Sequence, residues 1–354
     1  MVGTAHPTKA DMEYEGRYKA FDATRIRTYP LSTRSNKVRL SDLVFPKDLA
    51  GLAFDLPEMV RQDVRTVADA MVAARRDGKP VILFTGAHLI KNGLGPLLLE
   101  LVERGAVTLV AGNGATAIHD FELALVGETS ENVPAALDKG QFGMAYEFAY
   151  INMALSVGNQ QKLGYGESLG RMIGDEKFRR AVLALVAKED AVSEFQHPEV
   201  SVLAACYRRK IPFTVHAGIG TDVIDQHPSF DGQAKGGCSG RDFLIYTNEV
   251  TKLTKGGVIL NIGSAVTGPE VLLKAVSMAA NVGSVPRGIL TADFDLREHE
   301  PRQMTDESAA GYYFRDQKSV VTRIPQAFGG RGLYVRADQI QTFPFLCKQI
   351  LETL

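Results

Sequence analysis

The sequence predicts an α/β fold in which helices cover both faces of a parallel sheet. Short apolar runs such as 80–84 and 107–110 are each followed by a polar, glycine-bearing turn and then by a segment with helical spacing. The apolar runs lack polar alternation, which is typical of strands buried between two helical layers. Turns that follow parallel strands lie at the carboxyl edge of the sheet, so we expect ligands to bind there.

The composition is that of an ordinary globular chain, and it narrows the possible functions. The 354 residues are 45% hydrophobic and 23% charged, with a formal net charge of −1. No basic excess favours nucleic acid, and no apolar run approaches the ~20 residues of a membrane span. Three cysteines lie far apart, and their odd number predicts free, buried thiols in a reducing, cytoplasmic compartment. They are Cys206, Cys238 and Cys347.

The first elements can be assigned in order. Residues 1–45 are polar and carry charges of both signs, and we interpret them as an N-terminal arm before a single large domain, 46–354. Apolar residues at helical spacing predict a helix that starts at Pro57 and is ended by Gly78. The strand 80–84, a second helix ended by Gly105, and the strand 107–110 follow.

The rest of the chain continues the alternation. Glycines interrupt the helical pattern between 121 and 170, and we interpret 157–166 and 231–240 as loops. The further predicted helices lie around 178–186, 202–206 and 271–279, with a terminal helix from 343. The further predicted strands are 211–215, 257–262, 288–292, 319–323 and 333–335.

The turns and acidic residues offer candidate ligand sites. No GxGxxG or P-loop lysine motif follows a strand, so the generic nucleotide fingerprints are absent. Six acidic residues lie within 293–307, and Asp222 follows an earlier strand. At one sheet edge they would line a negative pocket that suits a linear polyamine, although a solvated acidic loop is the alternative. His119-Asp120 fits either an oriented histidine for proton transfer or a plain helix start. The histidine spacing predicts no metal site.

The order of several short motifs resembles that of deoxyhypusine synthases over about residues 35–350. The resemblance is closer to the bacterial deoxyhypusine synthase-like branch, which also contains homospermidine synthases. It implies a Rossmann-like, deoxyhypusine synthase-like fold, NAD as the cofactor, and a homotetramer with active sites at subunit interfaces. The motifs are Leu89-Ile90 after Thr85-Gly86, Asn113-Gly114-Ala115 ending in Asp120, Gly263-Ser264-Ala265, Thr291-Ala292 with Phe294-Asp295, and Ala337-Asp338 with Phe343-Pro344.

The resemblance also implies an activity. It is NAD-dependent transfer of a 4-aminobutyl group from spermidine or putrescine to an amine acceptor through a lysine imine. A free polyamine acceptor, as in homospermidine synthase, is the leading interpretation. One alternative is a deoxyhypusine synthase that acts on a protein lysine. Another, from a different class, is an NAD-binding sensor or scaffold without transferase activity.

Site residues follow from the resemblance by position. It implies Lys318 as the covalent lysine, which needs a desolvated site that lowers its pKa. The family's tryptophan and one histidine are missing here, with Tyr312 or Tyr313 in place of the former and Pro269-Glu270 near the position of the latter. The implied substrate contacts are Asp222, Asp295, Glu307 and Tyr312. The implied NAD contacts are Thr85, Gly86, His88, Asn113, Gly114, Asp120, Gly263, Ser264, Thr291, Ala292 and Asp338.

Overall fold

The computed structural model describes residues 14–186, 188 and 191–354. The first thirteen residues of the predicted arm lie outside this part of the chain. The described strands are β1 (Asn36–Arg39), β2 (Val81–Thr85), β3 (Leu109–Gly112), β4 (Glu128–Glu131), β5 (Phe213–Val215), β6 (Val258–Ile262), β7 (Leu290–Asp295) and β8 (Arg331–Arg336). The described helices are α1 (Glu58–Arg76), α2 (His88–Lys91), α3 (Gly95–Glu103), α4 (Gly114–Val126), α5 (Val133–Leu137), α6 (Phe148–Gln160), α7 (Tyr165–Gly174), α8 (Glu176–Val186), α9 (Val202–Arg209), α10 (Gly232–Thr251), α11 (Thr267–Asn281), α12 (Ile324–Phe328) and α13 (Gln339–Leu351).

Six strands form one parallel sheet, which confirms the predicted fold class. Their spatial order is β5-β3-β2-β6-β7-β8. Counted among themselves along the chain, these strands stand in the order 3-2-1-4-5-6 of the Rossmann fold. The order reverses between β2 and β6, and in such sheets this switch point is where ligands bind. The other two strands, β1 and β4, pair antiparallel in a separate ribbon.

Helices cover both faces of the sheet because side chains alternate along each strand. All five residues of β2 are buried. Ile82 and Phe84 join a core cluster with side chains of α10, α11 and α12. Val81 and Leu83 point the opposite way, into the cluster that includes α1, α3 and α13. The strand sequence shows no polar alternation because both faces of the sheet are buried under helices.

The two glycine-rich stretches interpreted as loops are mostly helical, so that prediction was wrong. Residues 231–240 open α10, whose N-terminus is capped by Asp231 through the backbone N–H groups of Gln233 and Ala234, both at 2.9 Å. Residues 157–166 contain the end of α6 and the start of α7. There glycine permits close packing, since a Cβ at Gly166 would lie 1.7 Å from the Phe213 carbonyl oxygen.

The prediction of a strand at 319–323 was also wrong. The segment Gln317–Arg323 is a π-helix that runs directly into α12. The sequence Ser-Val-Val-Thr has strand-like composition, but the segment packs on β7, where the Thr291 hydroxyl donates to the Val320 carbonyl at 2.5 Å. A tertiary contact thus overrides the local β propensity. Smaller differences are the unpredicted ribbon strands β1 and β4 and the start of α13, which begins at Gln339 and contains Pro344.

Two simple expectations can be compared with the structure. The three cysteines are free and buried, as predicted. Among the helices described, none combines the length and the apolar character that crossing a bilayer requires.

Asp242 joins β5 to α7 and should make the stability of the fold depend on pH. Its buried carboxylate accepts the backbone N–H groups of Val215 at 2.7 Å and Gly166 at 3.0 Å. Burial raises the pKa of Asp242 to about 7 from 3.8. The folded state therefore prefers the protonated form, so this contribution is complete below pH 4 and is lost as the pH rises through 7. We expect the free energy of unfolding to fall by roughly 3–4 kcal/mol over that range from this group alone.

Urea denaturation at a series of pH values measures this effect, with Asp242→Asn as the matched variant. The decline of the variant between pH 4 and pH 7 should be smaller than that of the wild type by roughly 3–4 kcal/mol, because its amide does not titrate, whereas other buried carboxyls such as Asp120 titrate in both proteins. A decline of equal size in both proteins would assign the pH dependence to other groups.

Candidate active site

The strand register brings most of the predicted site residues to one edge of the sheet. Residues in register near the carboxyl ends of the six strands form a single row: Val215, Gly112, Thr85, Ile262, Phe294 and Val335. The turns that leave this row carry Gly86, His88, Asn113, Gly114, Gly263, Ser264, Asp295 and Asp338. The predicted ligand turns therefore share the carboxyl edge, as their order in the sequence indicated.

The turns after β2 and β6 touch at the switch point. A Cβ at Gly86 would lie 2.2 Å from the Gly263 carbonyl oxygen, and Gly263 has a φ of +62°. The Ser264 hydroxyl accepts the Gly268 N–H at 2.9 Å and so caps the start of α11, whose N-cap residue Val266 makes no side-chain hydrogen bond. A helix N-terminus beside glycine turns is a suitable place for a phosphate group. The crevice therefore combines the switch point of the sheet, two glycine turns and a helix N-terminus.

A cleft of about 730 Å³ opens at the same edge, between the N-terminus of α4, the first half of α10 and the start of α11. Asn113 and Gly114 line it from α4, and Asp222 lines it from the turn after β5. Part of its α10 wall is bare backbone, because a Cβ at Gly236 or Gly240 would meet open space. The cleft thus brings two predicted cofactor residues together with one predicted substrate residue.

Asp222 already has an internal cation partner, which sequence reasoning missed. The Lys235 Nζ lies 2.7 Å from Asp222 Oδ2 and 2.5 Å from Asp225 Oδ1. It also donates to the Gly218 carbonyl oxygen at 2.9 Å. Burial raises the pKa of Asp222, an effect that the bonded lysine opposes. Since Lys235 stands in the stretch interpreted as a loop, only the helical structure of α10 reveals this contact.

The structure brings Lys318, Tyr312 and Glu307 together in a second group. Lys318 is 3% exposed, and its Nζ lies 2.8 Å from the centroid of the Tyr312 ring. The same amine donates to the Tyr312 carbonyl oxygen at 3.3 Å, while the Tyr312 hydroxyl donates to Glu307 Oε1 at 2.9 Å. Desolvation, and then the positive charges of Arg323 and Arg315, hold the pKa of Lys318 below its usual value.

Asp295 belongs to a group of three carboxylates with Asp293 and Asp316. Its Oδ2 accepts from Arg297 Nε at 2.8 Å, and the same guanidinium pairs with Asp316, two residues before Lys318. One carboxylate oxygen each of Asp293, Asp295 and Asp316 lies within 4.8 Å of the others, a geometry that can hold a cation. Here the Arg297 guanidinium is the cation. Burial and repulsion by Asp316 raise the pKa of Asp293 well above its usual range.

Three residues assigned to NAD by resemblance lie away from the open edge. Asp120 is 2% exposed and accepts from the Ser201 hydroxyl at 2.6 Å and from the backbone N–H groups of Val202 and Leu203 at 2.8 and 3.1 Å. It therefore caps α9. Thr291 and Ala292 lie in the middle of β7 and are fully buried. As the side chains stand, they present no surface to a ligand.

His119 is an oriented histidine, but Asp120 does not orient it. Its Nδ1 lies 2.7 Å from the Thr129 hydroxyl, which in turn donates to Glu122. Arg34 pairs with Glu122 at 2.5 Å and overcomes the effect of burial, so the pKa of Glu122 falls to about 2. An ionised Glu122 fixes the hydroxyl as its donor, and the histidine proton therefore sits on Nδ1. The long-range pairing of Glu122 with Arg34 left no signal in the local sequence.

Comparison with known proteins gives no family assignment. No family model matches the chain, and no curated protein matches it.

Solved structures with a similar fold include three proteins that share little sequence identity with this chain. AgrE in complex with ornithine and NAD+ is 15% identical, with a TM-score of 0.47 over 86% of this chain and 34% of that chain. A conserved LOR/SDH protein of Methanococcus maripaludis is 15% identical, with a TM-score of 0.46 over 85% and 71%. A candidate deoxyhypusine synthase of Entamoeba histolytica is 9% identical, with a TM-score of 0.44 over 83% and 87%. The chain spans about a third of the length of AgrE.

Proposed function

We propose that the chain is an NAD-dependent aminobutyl transferase of polyamine metabolism, of the homospermidine synthase kind, with Lys318 as its covalent residue. The observation that carries this proposal is the environment of the Lys318 amine. The Lys318 side chain is buried, its amine lies against the Tyr312 ring, and desolvation together with the charges of Arg323 and Arg315 lowers its pKa against the opposing charge of Glu307. Within the described residues no carboxylate reaches ion-pair distance of this amine. A lysine in such surroundings loses its proton more readily and becomes a nucleophile.

The proposed cofactor site is the switch-point crevice. The strand order supports a dinucleotide there, and so does the close approach of Gly86 and Gly263. The start of α11, with the positive end of its helix dipole and the Ser264 hydroxyl, suits the phosphates, while the N-terminus of α4 already has the Asp222 carboxylate against Gly114. NAD, when bound, supplies the hydride acceptor that turns the substrate amine into an imine and the hydride donor that reduces the final imine.

Lys318 performs the transfer in two exchanges. Its neutral amine attacks the imine carbon of the oxidised donor, forms a new carbon–nitrogen bond, and expels the amine that was bonded to that carbon. The proton lost by the lysine goes to the departing amine, which for spermidine is 1,3-diaminopropane. An acceptor amine then attacks the lysine imine, takes over the four-carbon group and restores the free amine of Lys318. Glu307, held by the Tyr312 hydroxyl, is the exposed carboxylate available for the distal ammonium of the aminobutyl group.

The test is incubation of the purified chain with NAD, spermidine and putrescine, followed by mass spectrometry of the free amines. We expect homospermidine and 1,3-diaminopropane in equal amounts without net NADH. Turnover that requires a protein lysine as acceptor would support the deoxyhypusine synthase alternative. Absence of any transfer with free or protein-bound amines would contradict the proposal. The same assay on the separated oligomer tests the proposed homotetramer with sites at subunit interfaces.

A second candidate function is an NAD-binding sensor or scaffold without transferase activity. It is favoured by one observation, namely that two of the proposed substrate carboxylates already have an internal partner. Lys235 pairs with Asp222, and Arg297 pairs with Asp295. This candidate predicts saturable NAD binding with no turnover of any amine.

The bare wall of α10 offers a test of where ligands bind. Gly240→Ala should stabilise α10 by up to about 1 kcal/mol, because alanine favours the helix and its Cβ meets open space. Gly240→Leu should remain folded but weaken the binding of NAD or spermidine at least tenfold, since its side chain fills the cleft. Calorimetric titration of both variants measures this. Unchanged affinity for both ligands in Gly240→Leu would exclude the cleft as their site.

A further inference from the structure

The amine of Lys235 sits in a complete cage of acceptors. An ammonium group has three N–H donors. Those of Lys235 are satisfied by Asp222 Oδ2 at 2.7 Å, Asp225 Oδ1 at 2.5 Å and the Gly218 carbonyl oxygen at 2.9 Å. The Phe230 ring adds a cation–π contact, with its centroid 6.0 Å from Nζ. The lysine side chain is only 1% exposed.

The cage is held in place by contacts that do not involve the lysine. The second carboxylate oxygen of Asp225 accepts the backbone N–H groups of Gly220, Thr221 and Asp222 at 2.7, 3.2 and 3.3 Å. The Thr221 hydroxyl donates to the Gly218 carbonyl at 3.2 Å. The Asp225 carboxylate and the Gly218 carbonyl thus keep their positions through the turn itself, and the backbone of Asp222 is fixed by the same turn. Gly218, Asp222 and Lys235 also line the 730 Å³ cleft, so the cage borders space that a ligand can enter.

The chemical identity of the occupant is informative. From Cβ to Nζ, a lysine side chain is four methylenes ending in an ammonium, which is the same group as the aminobutyl end of a linear polyamine. We propose that the cage formed by Gly218, Asp222 and Asp225 is an alkylammonium-binding subsite that the chain fills with its own lysine. Lys235 is then a specificity-determining residue, because it denies Asp222 to a substrate and leaves the Glu307 side to hold the substrate ammonium. This consequence for substrate choice rests on the proposed function, whereas the ammonium subsite itself does not.

Lys235→Ala tests the subsite, with n-butylammonium as the probe. Truncation leaves two buried carboxylates without their cation, so the melting temperature should fall by roughly 5 °C or more. Millimolar n-butylammonium should restore most of that loss and should bind the variant at least tenfold more tightly than it binds the wild type. 1-Butanol, which has the same chain without the charge, should not restore stability. Lys235→Met is the matched control, because its side chain fills the alkyl space and blocks the probe.

The outcomes separate the inference from the proposed function. Equal responses of Lys235→Ala and wild type to n-butylammonium, or equal rescue by 1-butanol, would overturn the subsite. If Lys235→Ala does not fold by itself, refolding with and without n-butylammonium replaces the melting assay. Recovery of folded protein only in the presence of the amine supports the subsite. Failure to refold under both conditions overturns it. Ammonium rescue in a protein whose wild type transfers nothing would retain the subsite and reject the transferase. Aminobutyl transfer by the wild type, without rescue of Lys235→Ala by n-butylammonium, would retain the transferase and reject the subsite.

Discussion

Replacement of Lys318 with alanine should abolish aminobutyl transfer, with a loss of roughly a thousandfold or more in kcat. The physical reason is that no other group can form the imine if Lys318 is the nucleophile. Lys318→Arg should be equally inactive, because its guanidinium keeps the charge but stays protonated and does not attack carbonyl-like carbon. Both are measured by the rate of homospermidine formation. NAD affinity should stay within about twofold, since the crevice lies at other strand ends.

The matched control is Lys177→Ala, an exposed lysine at the start of α8 that belongs to neither of the proposed sites. It should keep wild-type turnover. Persistent turnover in Lys318→Ala would show that the covalent lysine is elsewhere. Loss of turnover in both variants would point to a change in folding or assembly instead of in chemistry.

Asp120→Ala should have the largest effect on stability, at roughly 3–5 kcal/mol of the free energy of unfolding. The carboxylate accepts three buried donors at the start of α9, and each donor left without a partner costs about 1–3 kcal/mol. Asp120→Asn should cost less, because it keeps an acceptor oxygen at the same position. Urea denaturation near pH ~7.5 measures both values. Above the pKa of about 6 that burial gives Asp120, the carboxyl is ionised in the folded protein and acts as the acceptor of all three donors.

The same variant distinguishes two roles for Asp120. As a cap of α9 it should lower stability and leave the NAD affinity of the folded protein unchanged. As the NAD contact implied by the resemblance it would weaken NAD binding at least tenfold with little effect on unfolding. A stable Asp120→Ala variant with poor NAD binding would therefore contradict the structural role described here.

Local patterns were enough to predict the architecture. The periodicity of α1 and the apolar runs of β2 and β6 depend only on neighbouring residues, and these elements appear close to their predicted bounds. The glycines of α10 misled the prediction because their cause is tertiary, with open cleft beside Gly236 and Gly240 and the Asn159 side chain beside Gly237. The π-helix at 317–323 likewise depends on its contact with β7.

The site was predictable only in part, for a similar reason. Residues that follow strand ends are bound to meet at one edge of a parallel sheet, so the turns at Gly86, Asn113 and Gly263 could be grouped without coordinates. The hydrogen-bond and ion-pair partners of the carboxylates could not be predicted in this way. Asp120 bonds with Ser201, which lies 81 positions away in the chain, and Glu122 bonds with Arg34, 88 positions away. No periodicity records such pairs.

The central claim is that Lys318 carries the aminobutyl group as an imine, and borohydride trapping tests it most directly. The purified chain is incubated with NAD and spermidine, reduced with borohydride, and analysed by intact mass and peptide mapping. A mass gain that matches one aminobutyl group on Lys318, absent without NAD and absent in Lys318→Arg, is the predicted result. A protein that binds NAD but gains no mass with spermidine or putrescine, or that gains it on another lysine, would contradict the claim.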